Sequence, residues 1–187
     1  MSRQVTAPRI QMADEKTNIV LIGMAGCGKS AVGRRLAVLL NRPFVDTDDL
    51  IVRNQGRPLQ EIIDHLGPLG FRRIEEKTLL AVNLRNHVIA TGGSSIYSRA
   101  GMAHLKEIGW IVLLQADLAI LLARVGDTAN RGLVKRPEQS FVDLYAERQP
   151  LYLEHADYVY ACADQDVETV CLGLRAQLPM ISPGNPG

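Results

Sequence analysis

The stretch NIVLIGMAGCGKSAVGRRLAVLL, residues 18–40, contains an apolar run, a glycine-rich turn and a helix-like pattern in direct succession. Residues 18–23 predict a β-strand, because the apolar run is too short for a helix and ends at a glycine. Residues 29–40 predict a helix, since their apolar side chains recur at the spacing of one helix face. Residues 23–30, between the two, fit the pattern G-x-x-x-x-G-K-[ST] at every fixed position.

This loop has the chemistry of a phosphate-binding site. Glycines let the backbone curl so that successive N–H groups point at phosphate oxygens, and the helix N-terminus adds partial positive charge. Lys29 can reach the β- and γ-phosphates, and the Ser30 hydroxyl can ligate Mg²⁺. A chance match in a glycine-rich turn is disfavoured by the flanking strand and helix. The residues predicted to bind a nucleoside triphosphate here are Gly26, Cys27, Gly28, Lys29, Ser30 and Ala31.

Beyond this stretch, short apolar runs continue to alternate with helical patterns. We predict further strands at residues 43–46, 87–90, 110–114 and 158–160, and helices at 50–66, 71–85, 98–108, 117–125, 140–148 and 167–178. This alternation predicts an α/β fold, a five-stranded parallel sheet with helices on both faces. Such sheets bind ligands at the carboxyl ends of their strands, where the predicted motifs fall.

Two carboxylates, Asp46 and Asp48, lie at the end of the second predicted strand, on either side of Thr47. Because residues two apart in a strand face the same side, we expect both to point into one cleft. Asp46 could hold Mg²⁺ through water together with Ser30, and Asp48 could orient a substrate hydroxyl or take its proton. The alternative is that Asp48 only caps a helix beginning at Leu50.

These residues and three further segments resemble the shikimate kinase family. The segments are FRRIEE at residues 71–76, TGG at 91–93 and LYAERQPLY at 144–152, and they occur in the family's order and at similar spacing. The resemblance covers roughly residues 18–178. It implies a P-loop kinase of the nucleoside monophosphate kinase-like kind that phosphorylates the 3-hydroxyl of shikimate, in the biosynthesis of aromatic amino acids through chorismate. It also implies ATP as co-substrate and Mg²⁺ as cofactor.

The resemblance also implies roles for acceptor-binding residues. Asp48 matches the aspartate that contacts the ring hydroxyls of shikimate. Arg72 and Arg148 match two arginines that bind its carboxylate, and Phe71 matches a residue that lines the pocket. Planar arginines suit a carboxylate ligand independently of the resemblance. The pair Gly92 and Gly93 matches a turn whose backbone approaches the substrate.

A charged loop at residues 126–138 is the candidate for a mobile lid, because a kinase acting on a small alcohol must exclude water. A solvated surface loop is the alternative. By resemblance, Arg131 in this loop matches a catalytic arginine that closes on the phosphates, and Arg124 an arginine near the adenine. We expect a single domain at 18–178, with a substrate-binding segment at about 48–85, a disordered leader at 1–17 and a disordered tail at 179–187.

The chain departs from the family pattern at three places. Ser94 stands where the family has a third glycine, and Gly132 follows Arg131 where the family has proline, which predicts a less rigid lid. The loop at 161–166 lacks the arginine and proline usual on the adenine side. These departures leave open another small hydroxy-carboxylate as acceptor. One such acceptor is homoserine. The side chain of Ser94, Ser95 or Asp48 could accept a hydrogen bond from its ammonium group.

Composition limits the other classes of function. The 187 residues carry a formal net charge of +1 and 5% aromatic residues, so no basic surface with interleaved aromatics indicates nucleic-acid binding. The longest apolar stretch, 14 residues at 110–123, is shorter than a membrane span. Three cysteines without a C-x-x-C pair indicate reduced thiols and a cytoplasmic protein. We expect a monomer. A nucleotide-binding regulatory module with a decayed acceptor pocket is the alternative of a different class.

Overall fold

The computed structural model describes residues 16–125 and 132–178. Its strands are β1 (Asn18–Ile22), β2 (Phe44–Asp46), β3 (Val88–Ala90), β4 (Gly109–Gln115) and β5 (Tyr158–Ala161). Its helices are α1 (Lys29–Leu39), α2 (Thr47–Gln55), α3 (Leu59–Leu80), α4 (Arg99–Ile108), α5 (Leu118–Val125), α6 (Phe141–His155) and α7 (Val167–Gln177), with a 3₁₀ turn at Ser95–Tyr97. The alternation of strands and helices predicted from the sequence is confirmed.

The five strands form one parallel sheet in the order β2-β3-β1-β4-β5. The central strand β1 pairs with β3 on one side and β4 on the other. Every residue of β1 is buried, as a parallel sheet covered by helices on both faces requires. All strands run in the same direction, so the carboxyl ends of β1, β2 and β3 lie at one edge of the sheet. The phosphate loop, the two aspartates and the glycine turn are located at these three strand ends.

The predicted helix at residues 50–66 is wrong, because the chain breaks there into two helices. Helix α2 ends at Gln55, and Gly56 follows with a φ of +64°, the left-handed conformation that closes helices. Helix α3 begins at Leu59, directly after Pro58. The glycine and proline in this short connection are the stop and start signals that the prediction passed over.

Helix α3 also absorbs the helix predicted at residues 71–85. Its backbone departs from helical geometry at Gly67, with φ 66° and ψ 173°, immediately before Pro68. A residue preceding proline avoids the helical region, so the kink has a local cause. The helix then runs to Leu80, five residues short of the predicted end.

Helix α6 is longer than the predicted 140–148 and continues through Pro150 to His155. Ser140 and Asp143 form a capping box at its start, each side chain accepting from the backbone N–H of the other. Proline removes one backbone hydrogen bond of the helix, and here the buried side chains of Arg148 and Tyr152, on either side of it, hold the helix in place.

The buried side chains form two hydrophobic clusters. The larger one consists of side chains from the sheet and from the helices packed on it. The smaller one joins α2 and α3 to the segment before α6 through Ile51, Ile62, Ile63, Phe71 and Val134. Within residues 16–125 and 132–178, no helix has the length and apolar character needed to cross a membrane.

Candidate active site

The phosphate loop connects β1 to α1 and contains glycines with positive φ angles. Gly23 has a φ of +144°, and a Cβ there would lie 2.7 Å from the carbonyl oxygen of Leu114. Gly28 caps α1 with a φ of +96°. The Lys29 ammonium donates to the carbonyl oxygens of Gly23 at 2.8 Å and Met24 at 3.0 Å, so it lies against the loop itself.

The other residues predicted to contact ATP differ in their exposure to solvent. Gly26, Ser30 and Ala31 are exposed at the loop and the first turn of α1, whereas the Cys27 side chain is buried and offers a ligand only its backbone. Arg124 lies exposed near the end of α5, with one guanidinium nitrogen 3.5 Å from Asp164 Oδ1. Arg131 and the first part of the predicted lid, residues 126–131, lie outside the described residues, as do nearly all of the predicted leader and the whole predicted tail.

The structure brings Asp46 and Asp48 together by a different geometry from the predicted one. Asp48 is not in strand conformation, because α2 begins at Thr47. Asp46 caps that helix, with Oδ1 accepting from the backbone N–H of Asp48 at 3.0 Å. The capping role considered for Asp48 therefore belongs to Asp46, and the Asp48 carboxylate is left available.

Ser30 and Asp46 supply the oxygen ligands that Mg²⁺ prefers. The Ser30 hydroxyl donates to Asp46 Oδ2 at 2.6 Å, so a hydroxyl and a carboxylate oxygen lie side by side at the start of α1. Across the described parts of the chain, no group of three or more acidic, histidine or cysteine side chains could hold a metal ion. The pair fits a magnesium ion whose remaining ligands are phosphate oxygens and water, which is how this ion is usually bound beside nucleotides.

A narrow cavity lies between the phosphate loop and the acceptor residues. Its volume is about 20 Å³, close to that of one water molecule. The lining includes the predicted residues Asp48, Phe71, Gly92, Gly93 and Arg148, together with Ala25, Leu59, Glu75, Ser94, Gly132, Leu133 and Val134. An acceptor the size of a six-membered ring therefore needs more space than this cavity has.

Gly132 has a backbone conformation that the proline of the family pattern could not adopt. Its φ is +74°, which proline cannot adopt, and its backbone N–H donates to Gln60 Oε1 at 2.7 Å. A Cβ at this position would lie 2.9 Å from Leu59 Cδ2. The described end of the predicted lid is thus fixed to α3 by a contact that depends on glycine.

Two carboxylates meet at the cavity across the backbone of Gly92. Asp48 Oδ1 and Glu75 Oε1 are both buried and without a hydrogen-bond partner in the described structure. A Cβ on Gly92 would collide with both, lying 2.6 Å from Asp48 Oδ1. Burial and the neighbouring Asp46 raise the pKa of Asp48 to about 6, against the opposing effect of Lys29. Burial, and to a lesser degree Asp48, raises the pKa of Glu75 to about 7, while Ser94 and two arginines lower it.

The two predicted carboxylate-binding arginines lie on different sides of Glu75. Arg148 is 1% exposed, lines the narrow cavity and donates to the carbonyl oxygen of Val134 at 2.5 Å. Arg72 lines an adjoining cavity of about 250 Å³ instead. Glu75 and Ser94 contribute to both cavities, so the two arginines flank one continuous polar wall.

The glycine turn is fixed by contacts that sequence reasoning missed. The backbone N–H of Gly92 donates to Thr47 Oγ1 at 3.2 Å, and Tyr152 donates its hydroxyl proton to the carbonyl oxygen of Gly93 at 2.6 Å. Neither Glu75 nor Tyr97 is among the site residues predicted from the sequence. The available signal for Glu75 was its position one helical turn after Arg72, on the face shared with Phe71 and Leu79.

Comparison with known proteins identifies the family. The sequence model of the family described as Shikimate kinase matches residues 25–178. A shikimate kinase from Caldanaerobacter subterraneus is 37% identical over 156 residues, 82% of this chain and 91% of that relative. One from Dechloromonas aromatica is 38% identical over 162 residues, 85% of this chain and 88% of that relative. The chain belongs to the shikimate kinase family.

Solved structures agree with this assignment. A shikimate kinase from Acinetobacter baumannii, described as a complex with shikimate, superposes with a TM-score of 0.78 at 34% identity and covers 88% of this chain and 97% of that one. The Aquifex aeolicus shikimate kinase has a TM-score of 0.73 at 29% identity, with 86% and 95% covered. The predicted family and fold class are confirmed, and membership makes the chain an ATP-dependent kinase.

Proposed function

We propose that this protein transfers the γ-phosphate of ATP to the 3-hydroxyl of shikimate. One observation carries the proposal: the cavity that contains Asp48 and Arg148 is also lined by Ala25 of the phosphate loop. A Cβ on Gly93 would lie 3.6 Å from the Ala25 nitrogen, so the acceptor turn touches the nucleotide loop. An acceptor held there would have its hydroxyl next to the γ-phosphate of a nucleotide on the loop, as direct transfer requires.

On the nucleotide side, we propose that backbone N–H groups of Gly26, Cys27, Gly28, Lys29, Ser30 and Ala31 bind the phosphates. The Lys29 ammonium would leave its two loop carbonyls for phosphate oxygens, which are stronger partners because they are charged. Arg124 would contact the adenine side after release from Asp164. The proposed phosphate contact of Arg131 rests on the family resemblance alone.

Ser30 and Asp46 would hold Mg²⁺, Asp46 through water. When bound, the ion would neutralise charge on the β- and γ-phosphates. The 2.6 Å contact between the two side chains supports this assignment, because it places both oxygens on one side of the loop. Asp46 keeps its other oxygen on the helix cap, which fixes the direction of the carboxylate.

On the acceptor side, Asp48 is proposed to accept the hydrogen bond of the attacking hydroxyl. Its Oδ1 is buried at the cavity and has no hydrogen-bond partner among the described residues, so a substrate hydroxyl would satisfy it. Arg72 and Arg148 would hold the carboxylate, Phe71 would pack on the ring, and the backbone of Gly92 and Gly93 would approach it closely. Segment 132–134 over the cavity would keep water from the transferring phosphoryl group.

The test is release of ADP with Mg²⁺-ATP, measured in parallel with shikimate and homoserine as acceptors. Shikimate-dependent turnover is the expected result, and Lys29→Ala should abolish it while leaving the fold intact. Lys77→Ala, at an exposed lysine on α3, is the matched control. Turnover with homoserine alone would overturn the acceptor assignment and retain the nucleotide site.

Homoserine is the comparison acceptor because Glu75 Oε1 could accept an ammonium group. Ser95 cannot serve as predicted, since its hydroxyl is fully buried and bonds Thr91 at 3.1 Å. The cytoplasmic location, the monomeric state, the mobile lid and the disordered ends stay predictions.

A further inference from the structure

We propose that Tyr97 is the positioning residue that aligns Arg72 and Arg148 for the carboxylate of the acceptor. The inference rests on the proposed function, since it assumes that both arginines bind one carboxylate. Tyr97 ends the 3₁₀ turn that follows the glycine turn, and its side chain is half-buried between the two arginines.

The Tyr97 ring stacks against Arg72. The guanidinium carbon of Arg72 lies 3.5 Å from the ring centroid, within the range of a cation–π contact. Stacking occupies the flat face of the guanidinium and leaves its N–H edge free for a planar anion. Arg72 Nε is buried and has no hydrogen-bond partner in the described structure, so a donor is available next to the ring.

The same side chain contacts Arg148 with its hydroxyl. Arg148 Nε donates to the Tyr97 oxygen at 3.4 Å, and the guanidinium carbon lies 5.4 Å from the ring centroid. The hydroxyl in turn donates to Glu147 Oε1 at 2.5 Å. Tyr97 is therefore in contact with both arginines at once, although they line different cavities.

Glu147 connects this arrangement to the segment before α6. Its Oε2 accepts from Gln139 Nε2 at 2.6 Å and from Arg136 at 3.1 Å. A rotation of Tyr97 would have to break the bond to Glu147, which these two donors hold in place. The ring is thus held in one orientation, in contact with both guanidinium groups.

The ring and the hydroxyl can be separated by substitution. Tyr97→Leu removes both contacts and should raise KM for shikimate by about 10- to 30-fold, the size of one cation–π contact and one hydrogen bond together. Tyr97→Phe keeps the ring and should raise it only about 2- to 5-fold. In both variants KM for ATP should stay within about twofold of the wild-type value, because the contacts of Tyr97 with Arg72, Arg148 and Glu147 do not involve the phosphate loop.

The matched control is Tyr158→Leu, which removes a half-buried ring that packs edge-on against Trp110 at 5.9 Å, away from the site. It should change neither KM. Equal rises of both KM values in Tyr97→Leu would show a merely structural role and overturn the inference, as would an unchanged KM for shikimate. Failure of the wild-type protein to use shikimate would instead overturn the proposed function, and this inference with it. Thermal unfolding of each variant shows whether it is folded. If Tyr97→Leu is not, the KM values of Tyr97→Phe decide the test.

Discussion

The hydroxyl of Ser94 donates a 2.6 Å hydrogen bond to Glu75 Oε2, which joins the glycine turn to helix α3 inside the protein. Both residues are almost fully buried, at 2% and 1% exposure. The family pattern has a glycine in place of Ser94, so this chain adds a donor to a buried carboxylate. Ser94, one of the three departures from the family pattern, therefore has a local structural partner in Glu75.

Removing this donor should destabilise the protein in a pH-dependent way. Ser94→Ala leaves Glu75 Oε2 without its bond, and a lost bond to a buried charged group costs about 1–3 kcal/mol. Ser94 lowers the pKa of Glu75, so its bond favours the charged form. The loss should be larger at pH 8 than at pH 5, as measured by urea unfolding. Ser94→Thr, which keeps the hydroxyl, should restore most of it, and an equal loss at both pH values would contradict the argument.

Glu75 itself should reduce the stability of the folded state at neutral and higher pH. Its folded pKa of about 7 is above the ordinary value of 4.5, so the folded state binds more protons than the unfolded state between these pH values. Stability contributed by this group is present below pH 4.5 and is lost as the pH rises to 7. Glu75→Gln removes this loss, so the variant should gain up to about 3 kcal/mol over the wild type from pH 4.5 to 8.

The measurement is the free energy of unfolding of both proteins across that pH range. Glu107→Gln, at an exposed position on α4, should show a constant difference from the wild type. If Glu75→Gln also shows a constant difference, Glu75 is not titrating as a buried group. Burial of the Glu75 carboxylate would then destabilise the folded state by less than its raised pKa implies.

The sheet and the phosphate loop could be predicted because their signals are local. The strand at residues 18–23 and the loop that follows are contiguous in sequence, and the pattern of G-x-x-x-x-G-K-[ST] leaves one geometry for Gly28 and Lys29. Errors in the helices arose where a local rule was applied too widely. The connection at 56–58 was included in a predicted helix, and the helix predicted to end at residue 148 continues through Pro150 to His155.

Apart from Asp48, the residues of the acceptor side were located by resemblance, because their contacts join distant parts of the chain. Glu75 reaches Ser94 across 19 residues and Tyr97 reaches Glu147 across 50. No periodicity in the sequence predicts that Arg72 stacks on Tyr97, or that Gly92 separates two carboxylates. Burial of an acid is a property of the folded chain, so the altered pKa of Asp48 had no sequence signal.

Activity should fall at low pH as Asp48 becomes protonated. With its pKa raised to about 6, the carboxylate accepts a hydrogen bond from the acceptor only above that pH. We expect kcat to fall about tenfold per pH unit below pH 6, and Asp48→Asn to lower kcat by about 10²- to 10⁴-fold at pH 8. The neighbouring Asp49, exposed and paired with Arg34 on the surface, gives the control Asp49→Asn with unchanged kcat. A profile of kcat that is flat down to pH 5 would exclude this role for Asp48.

Asp46→Asn should weaken the response to Mg²⁺ without unfolding α2. Asparagine caps a helix about as well as aspartate, so the bond to the Asp48 N–H is kept and stability should change by less than about 1 kcal/mol. The charge beside Ser30 is lost, and the Mg²⁺ concentration for half-maximal ADP release should rise about tenfold or more. Asp166→Asn is the matched control, because Asp166 caps α7 by accepting from Thr169 at 2.8 Å, outside the site. If the two variants require the same Mg²⁺ concentration as the wild type, Asp46 serves the helix cap alone.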